Sequence, residues 1–217
     1  DDNSTVGQAN DGKSTLKFLK KKSNGEMVAA LSREKYAMKS LQFDFFMEKG
    51  FTSWVGVNLL ESNAYAAGDV PSVYGSPLLF TINNISPNGV KISDEANNKY
   101  ANILSKKTET DDTKTDDTKT DDTKTDTAKT EYTGEWLTVK YVFNAEKPYE
   151  FDVYFNCGGK EPIKAFTAYS TDTNKKYNDC YIRLGVHDSS NGSVEFDNIK
   201  IEKTDGTTVT EDFEGGG

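Results

Sequence analysis

The chain has 217 residues, of which 35 are Asp or Glu, 26 are Lys or Arg and one is His, giving a formal net charge of −9. That balance argues against binding nucleic-acid backbones, which reward clustered cations, and a single His removes most His-based triads and metal sites. No run approaches eighteen consecutive apolar residues, so no membrane-spanning helix is expected, and the polar start Asp1-Asp2-Asn3-Ser4-Thr5 shows no signal-peptide core.

The first motif is Gly7-Gln8-Ala9-Asn10-Asp11-Gly12-Lys13-Ser14, a literal G-x-x-x-x-G-K-S. A nucleotide-binding P-loop needs a buried parallel strand before it and a helix after it. Here the preceding residues are too polar for such a strand, and Thr15-Leu16-Lys17-Phe18-Leu19 reads as a strand, not a helix. The match is therefore a coincidence of a polar turn.

Strand patterns then follow one another. Thr15–Lys20 and Met27–Leu31 are weak candidates. Leu41, Phe43, Phe45 and Met47 alternate with Gln42, Asp44 and Glu48, a period of two interrupted only by Phe46. Val55, Val57 and Leu59 alternate with Trp54, Gly56 and Asn58, and Leu78, Phe80 and Ile82 with Leu79, Thr81 and Asn83. Gly89–Ile92 is another weak strand. The only helical candidate is residues 93–104, which is short and weakly periodic. From Thr110 to Lys129 the chain reads TDDTK-TDDTK-TDDTK-TDTAK. With no apolar group beyond one Ala to offset the entropy of ordering, residues 108–131 are expected to be a solvated, mobile surface insert without fixed structure.

Beyond the insert, Leu137, Val139, Tyr141 and Phe143 alternate with Trp136, Thr138 and Lys140. Phe151, Val153 and Phe155 alternate with Asp152, Tyr154 and Asn156. Ile163–Tyr169 is weaker. Ile182, Leu184 and Val186 alternate with Tyr181, Arg183 and His187, and Val194–Ile201 closes the run. Turn signals such as Ser23-Asn24-Gly25, Pro87-Asn88-Gly89 and Asp205-Gly206 separate these segments. About a dozen short strands with little helix predict one all-β domain over residues 1–217, a two-sheet antiparallel β-sandwich of the jelly-roll kind with the insert as a long loop.

Two phrases sharpen that expectation. Gly134-Glu135-Trp136-Leu137-Thr138-Val139 and Val194-Glu195-Phe196-Asp197-Asn198-Ile199-Lys200-Ile201 together resemble the concanavalin-like jelly rolls, which include laminin-G-like domains and the carbohydrate-binding modules of secreted bacterial polysaccharide-degrading enzymes. The tail Glu211-Asp212-Phe213-Glu214-Gly215 is similar to a phrase that flanks such domains in modular chains. The resemblance implies a secreted or cell-surface bacterial protein whose partners are a plant or microbial polysaccharide and other domains of a modular chain. It also implies a structural calcium ion near the termini, for which Asp197 is the matching position and Glu211 and Glu214 are candidate partners. A turn or bulge role for Asp197 is the competing reading.

Glycoside hydrolases share the fold and carry E-x-D-x-E or E-x-D-x-x-E on one strand, with both carboxylates facing the cleft. Glu195-Phe196-Asp197 begins such a motif, but Ile199 and Lys200 occupy the completing positions; Glu150-Phe151-Asp152 fails in the same way. The expectation is a non-enzymatic module. Sugar binding calls for aromatic rings beside hydroxyl-bonding polar groups. Alternation places Trp54 and Asn58 opposite Val55 and Val57, Tyr154 opposite Val153 and Phe155, and Tyr181, Arg183 and His187 opposite Ile182, Leu184 and Val186. These six are the candidate ligand residues, provided that their strands share a sheet. The competing function is a structural or adhesive β-sandwich of a surface protein without a glycan ligand. A glycan-active enzyme on the same fold is the third reading. Cys157 and Cys180, the only cysteines, sit at strand ends, where either free thiols or a disulfide fits the sequence.

Overall fold

The computed structural model describes residues 4–8, 14–20, 27–30, 34–48, 54–62, 77, 79–82, 90–94, 99–102, 136–157, 161–170, 172–186 and 192–213. The insert at 108–131 lies outside them, as do His187 and Glu214. Numbered along the chain, one sheet runs in spatial order through β1 (Ser4–Gln8), β2 (Ser14–Lys20), β13 (Gly192–Lys203), β4 (Tyr36–Met47), β9 (Leu137–Phe143), β10 (Glu150–Cys157) and β11 (Ile163–Tyr169). The short β14 (Thr208–Glu211) pairs with the second half of β13. The second sheet runs through β3 (Met27–Ala30), β12 (Asp179–Val186), β5 (Trp54–Leu60), β6 (Leu79–Ile82), β7 (Val90–Asp94) and β8 (Lys99–Asn102). Every ladder is antiparallel, and the two sheets make a jelly-roll β-sandwich. They are joined where Tyr36 and Ala37 of β4 pair with Cys180 and Asp179 of β12.

The period of two explains what fills the space between the sheets. Leu41, Phe43, Phe45 and Met47 of β4 share one core with Leu137, Val139, Tyr141 and Phe143 of β9, and with Val55, Val57, Leu59, Ile182, Leu184 and Val186 of the opposing sheet. Each such side chain contributes roughly 1.5–3 kcal/mol by leaving water. An aromatic cluster lies at its centre. The Tyr141 ring packs against Phe43 at 5.7 Å, Phe151 at 4.9 Å and Phe143 at 6.5 Å between centroids.

Two of the three register shifts in these ladders bear on the outer face of the first sheet. In β13, Asp197 opposes Asp44 while Lys200 opposes Gln42, so β13 carries one extra residue there. Asn198 takes it up in a left-handed conformation at φ 49°, a role that Asn fills more readily than other side chains. Core positions therefore move from Val194 and Phe196 before the bulge to Ile199 and Ile201 after it. Between β10 and β11, Val153 opposes Phe166 but Tyr154 opposes Lys164, and the skipped Ala165 brings Lys164 to the same face as Tyr154.

Several sequence-based expectations change. The described part of residues 93–104 is strand and not helix: β7 ends at Asp94 and β8 occupies Lys99–Asn102, a pair held by the ladder between them and not by local periodicity. The G-x-x-x-x-G-K-S segment joins β1 to β2, an antiparallel pair in which Gly7 opposes Thr15. That geometry is a hairpin, not a phosphate-binding loop. Cys180 is a free, buried thiol whose Sγ donates to the Lys176 carbonyl at 2.9 Å.

Candidate functional site

The outer face of the first sheet is built in rows, each strand contributing one side chain. The central row reads Lys200, Gln42, Lys140, Tyr154 and Lys164 across β13, β4, β9, β10 and β11. Four strand-to-strand steps of about 4.8 Å give this row a length of roughly 19 Å. Gln42, Lys140 and Tyr154 are half-buried, while Lys164 and Lys200 are exposed. Toward one side lies a row of Asp197, Asp44, Thr138 and Asn156; toward the other, Glu202, Ser40, Val142, Asp152 and Thr167. Beyond the first of these flanking rows, the half-buried rings of Phe46 and Trp136 lie tilted against each other at 42°, with centroids 5.7 Å apart.

The carboxylates around the central row are held by named donors. Thr138 Oγ1 donates to Asp44 Oδ1 at 2.6 Å, and Asn198 Nδ2 donates to Asp44 Oδ2 at 2.9 Å. Thr167 Oγ1 donates to Asp152 Oδ1 at 2.6 Å, and Lys164 Nζ pairs with Asp152 Oδ2 at 2.7 Å. Partial burial pushes the Asp152 carboxyl up, but the bonds from Lys164 and Thr167 and the lysine's charge outweigh it and hold the group below its ordinary value. The same pairing raises Lys164 above its ordinary value, its hydrogen bond to Asp152 being the main cause. Glu202 bonds Lys39 at 2.8 Å and Ser40 at 3.3 Å, and the Lys39 bond holds its carboxyl low. Glu195, farther along β13, takes Lys17 at 2.7 Å and Thr15 at 3.1 Å. A cavity of about 300 Å³ opens beside the Asp152 row, lined by Val142, Asn144, Glu150, Asp152 and Thr167 among others.

The six ligand candidates do not form one platform. β5 and β12 share the second sheet, whereas Tyr154 stands on the first, so their outward positions look away from the sandwich in opposite directions. Asn58 and Arg183 are neighbours, as alternation suggests, but they do not edge an open groove. They are 0% and 1% exposed, and Arg183 Nε and Nη2 donate to Asn58 Oδ1 at 3.2 and 3.0 Å. Alternation assigns a face; it does not reveal whether that face is covered. Tyr181 is half-buried on the same strand. Trp54 begins β5 opposite Thr81, with its side chain outside the described groups, and His187 lies outside the described residues altogether.

The calcium candidates are also dispersed in role. Asp197 is 1% exposed at the β13 bulge, and the exposed Glu211 accepts the Phe213 N–H at 2.8 Å. Among the described residues, no three His, Cys, Asp or Glu side chains gather to hold a metal ion. Glu214 lies outside the described residues. Sequence reasoning missed Gln42, Lys140, Lys164 and Lys200. Their only signal was their polarity at spacer positions of alternating strands, and their alignment depends on pairing across more than 150 residues.

No family model matches the chain, and no curated protein matches its sequence. Solved structures do match, and those that follow are of low identity. A mutant of alginate lyase Aly36B in complex with alginate tetrasaccharide is 12% identical, with 93% of this chain and 83% of that chain covered at a TM-score of 0.42. Alginate lyase vAL-1 from Chlorella virus is 14% identical over 92% and 88%, with a TM-score of 0.36. Peanut lectin is 12% identical over 96% and 91%, with a TM-score of 0.34. The expectation that the chain is not an enzyme is corrected by these matches, since lyases stand among them. An incomplete E-x-D-x-E strand speaks against one kind of hydrolase site and leaves other chemistry untouched.

Proposed function

We propose that the protein binds polysaccharide on the outer face of its first sheet, as a carbohydrate-binding sandwich in a secreted or surface-anchored bacterial chain. The observation that carries this reading is the shared face of Phe46, Trp136 and Tyr154, three half-buried rings, with Gln42, Asn156 and Lys140 between and beside them. Aromatic faces take the apolar side of a pyranose, and amides and ammonium groups take its hydroxyls. The second sheet offers a poorer surface at the equivalent place, because Asn58 and Arg183 are buried and bonded to each other.

Affinity gel electrophoresis against soluble β-glucan, xyloglucan, xylan, mannan and pectin tests the proposal, with Tyr154→Ala as the site variant. Retardation by at least one polysaccharide, weakened in Tyr154→Ala at unchanged thermal stability, is expected. Absence of retardation by every polysaccharide, with a folded protein, would refute glycan binding and favour a structural or adhesive sandwich. Monitoring the same polysaccharides for shortened or unsaturated products reports on catalysis separately.

A further inference from the structure

The chemistry of the central row narrows the ligand. We infer that the row Lys200–Gln42–Lys140–Tyr154–Lys164 receives an anionic polysaccharide, its charged substituents meeting the lysines and the intervening sugars lying over Gln42 and Tyr154. The inference rests on the glycan-binding reading above and names the class of glycan.

Three observations carry it. First, three of the four carboxylates in the flanking rows are held by side-chain donors, Asp44 by Thr138 and Asn198, Asp152 by Thr167 and Lys164, and Glu202 by Lys39 and Ser40, and the fourth, Asp197, is buried. Lys140 and Lys200 have no ion pair among the described residues, whereas Lys164 is paired with Asp152, so an arriving anion meets two lysines without a carboxylate partner of that kind and a third that it must share. Second, the cations are evenly placed. Lys200 and Lys140 stand two strands apart, as do Lys140 and Lys164, which is about 10 Å in each interval. An extended 1,4-linked chain advances about one strand step per pyranose and turns the same substituent to the same side at every second residue. Alternate charged groups therefore fall at the lysine positions. Third, the residues between them suit the intervening units, whose charged substituents turn to the other side: Gln42 offers an amide to hydroxyls, and Tyr154 offers a half-buried ring.

The net charge of −9 does not oppose this, because exposed charges beyond about 10 Å are largely screened at ordinary ionic strength. Lys140 and Lys200 are surface side chains without a described ion pair, so their replacement tests binding without dismantling the core.

The test measures binding of the whole chain to polygalacturonate and polymannuronate, to their carboxyl-reduced neutral counterparts, and to dextran sulfate. Wild type is compared with Lys140→Ala, Lys200→Ala and the double variant, each checked by thermal melting. The expected result is binding to the carboxylated or the sulfated polymer, the stronger of the two identifying the source of the anion. Binding should weaken with added salt and be lost on carboxyl reduction if the uronate is the stronger. Each single variant should lose about tenfold in affinity, the scale of a charge-assisted hydrogen bond. Equal binding of neutral and anionic polymers, or anionic binding indifferent to the lysines, would overturn the inference while leaving glycan binding in place. Failure to bind any of these polymers or the neutral panel would overturn both.

Discussion

Tyr141 offers a direct test of how the aromatic core is held, because Tyr141→Phe removes one oxygen and leaves the ring. The residue is 0% exposed, and its hydroxyl finds no hydrogen-bond partner among the described residues. A buried hydroxyl without a partner costs about 1–3 kcal/mol of desolvation, whereas the contacts with Phe43, Phe143 and Phe151 survive the change. Tyr141→Phe is therefore expected to gain about 1–2 kcal/mol in urea unfolding, worth roughly 2–4 °C of Tm per kcal/mol in a chain of this size. Tyr141→Leu, which loses the ring contacts as well, should lose about 2 kcal/mol or more. Burial also holds the phenol protonated well above its ordinary pKa. In the unfolded chain it ionises near about pH 10, so above that pH the unfolded state binds fewer protons and stability falls as pH rises. Tyr141→Phe removes this contribution, and its alkaline unfolding should shift to higher pH. A variant destabilised by about 1 kcal/mol or more would show that the hydroxyl is bonded and that the reasoning fails.

Other expected outcomes concern the bulge, the buried amide, the surface pair and the thiol. Asn198→Ala should cost about 2–4 kcal/mol, combining the left-handed backbone with loss of the bond to Asp44, and Asn198→Gly about 1 kcal/mol less; equal costs in urea melts would refute a backbone contribution. Asn58→Ala takes the acceptor from two Arg183 N–H groups and should cost about 2–3 kcal/mol, against which a loss below about 0.5 kcal/mol would show that the pair is dispensable. Asp152 has a lowered folded pKa, so its contribution is present above about pH 4 and is lost as pH falls through the folded value. Asp152→Asn should thus cost up to about 1 kcal/mol at neutral pH, limited by solvent screening, and progressively less as the pH falls into the acid range; a pH-independent cost would contradict the pairing. Burial chiefly, with the charges of Glu61 and Asp179, pushes the Cys180 thiol up to about 12. It should resist iodoacetamide at pH 8 until denaturant is added, and peptide mapping that finds it alkylated in the native protein would refute that.

The sandwich was legible wherever one face of a strand is wholly apolar, as in Leu41–Met47, Leu137–Phe143 and Ile182–Val186, because burial writes itself into a period of two. Short polar strands such as Ser4–Gln8, Lys99–Asn102 and Thr208–Glu211 carry no such signal; their partners recruit them. The helix expected near residues 93–104 failed for the same reason. At the candidate site, Tyr154 was identified from its outward position, but its grouping with Trp54, Asn58 and Arg183 was not sound. Alternation is local, whereas sheet membership and cover over a face are products of the whole topology. The row from Lys200 to Lys164 is the plainest case, since its five members become neighbours only through the registers of four ladders.

The skipped residue in β11 has a consequence for how this surface can change over time. Removing Ala165 would straighten the ladder and leave Lys164 opposite Tyr154 and Ile163 opposite Phe155, without altering any core side chain of β9 or β10. Loss of one codon at a strand on the sheet margin therefore preserves the display, and only a residue that takes part in the pairing changes what the outer face presents. The rim of the sheet becomes a place where chain length can vary while both faces stay constant.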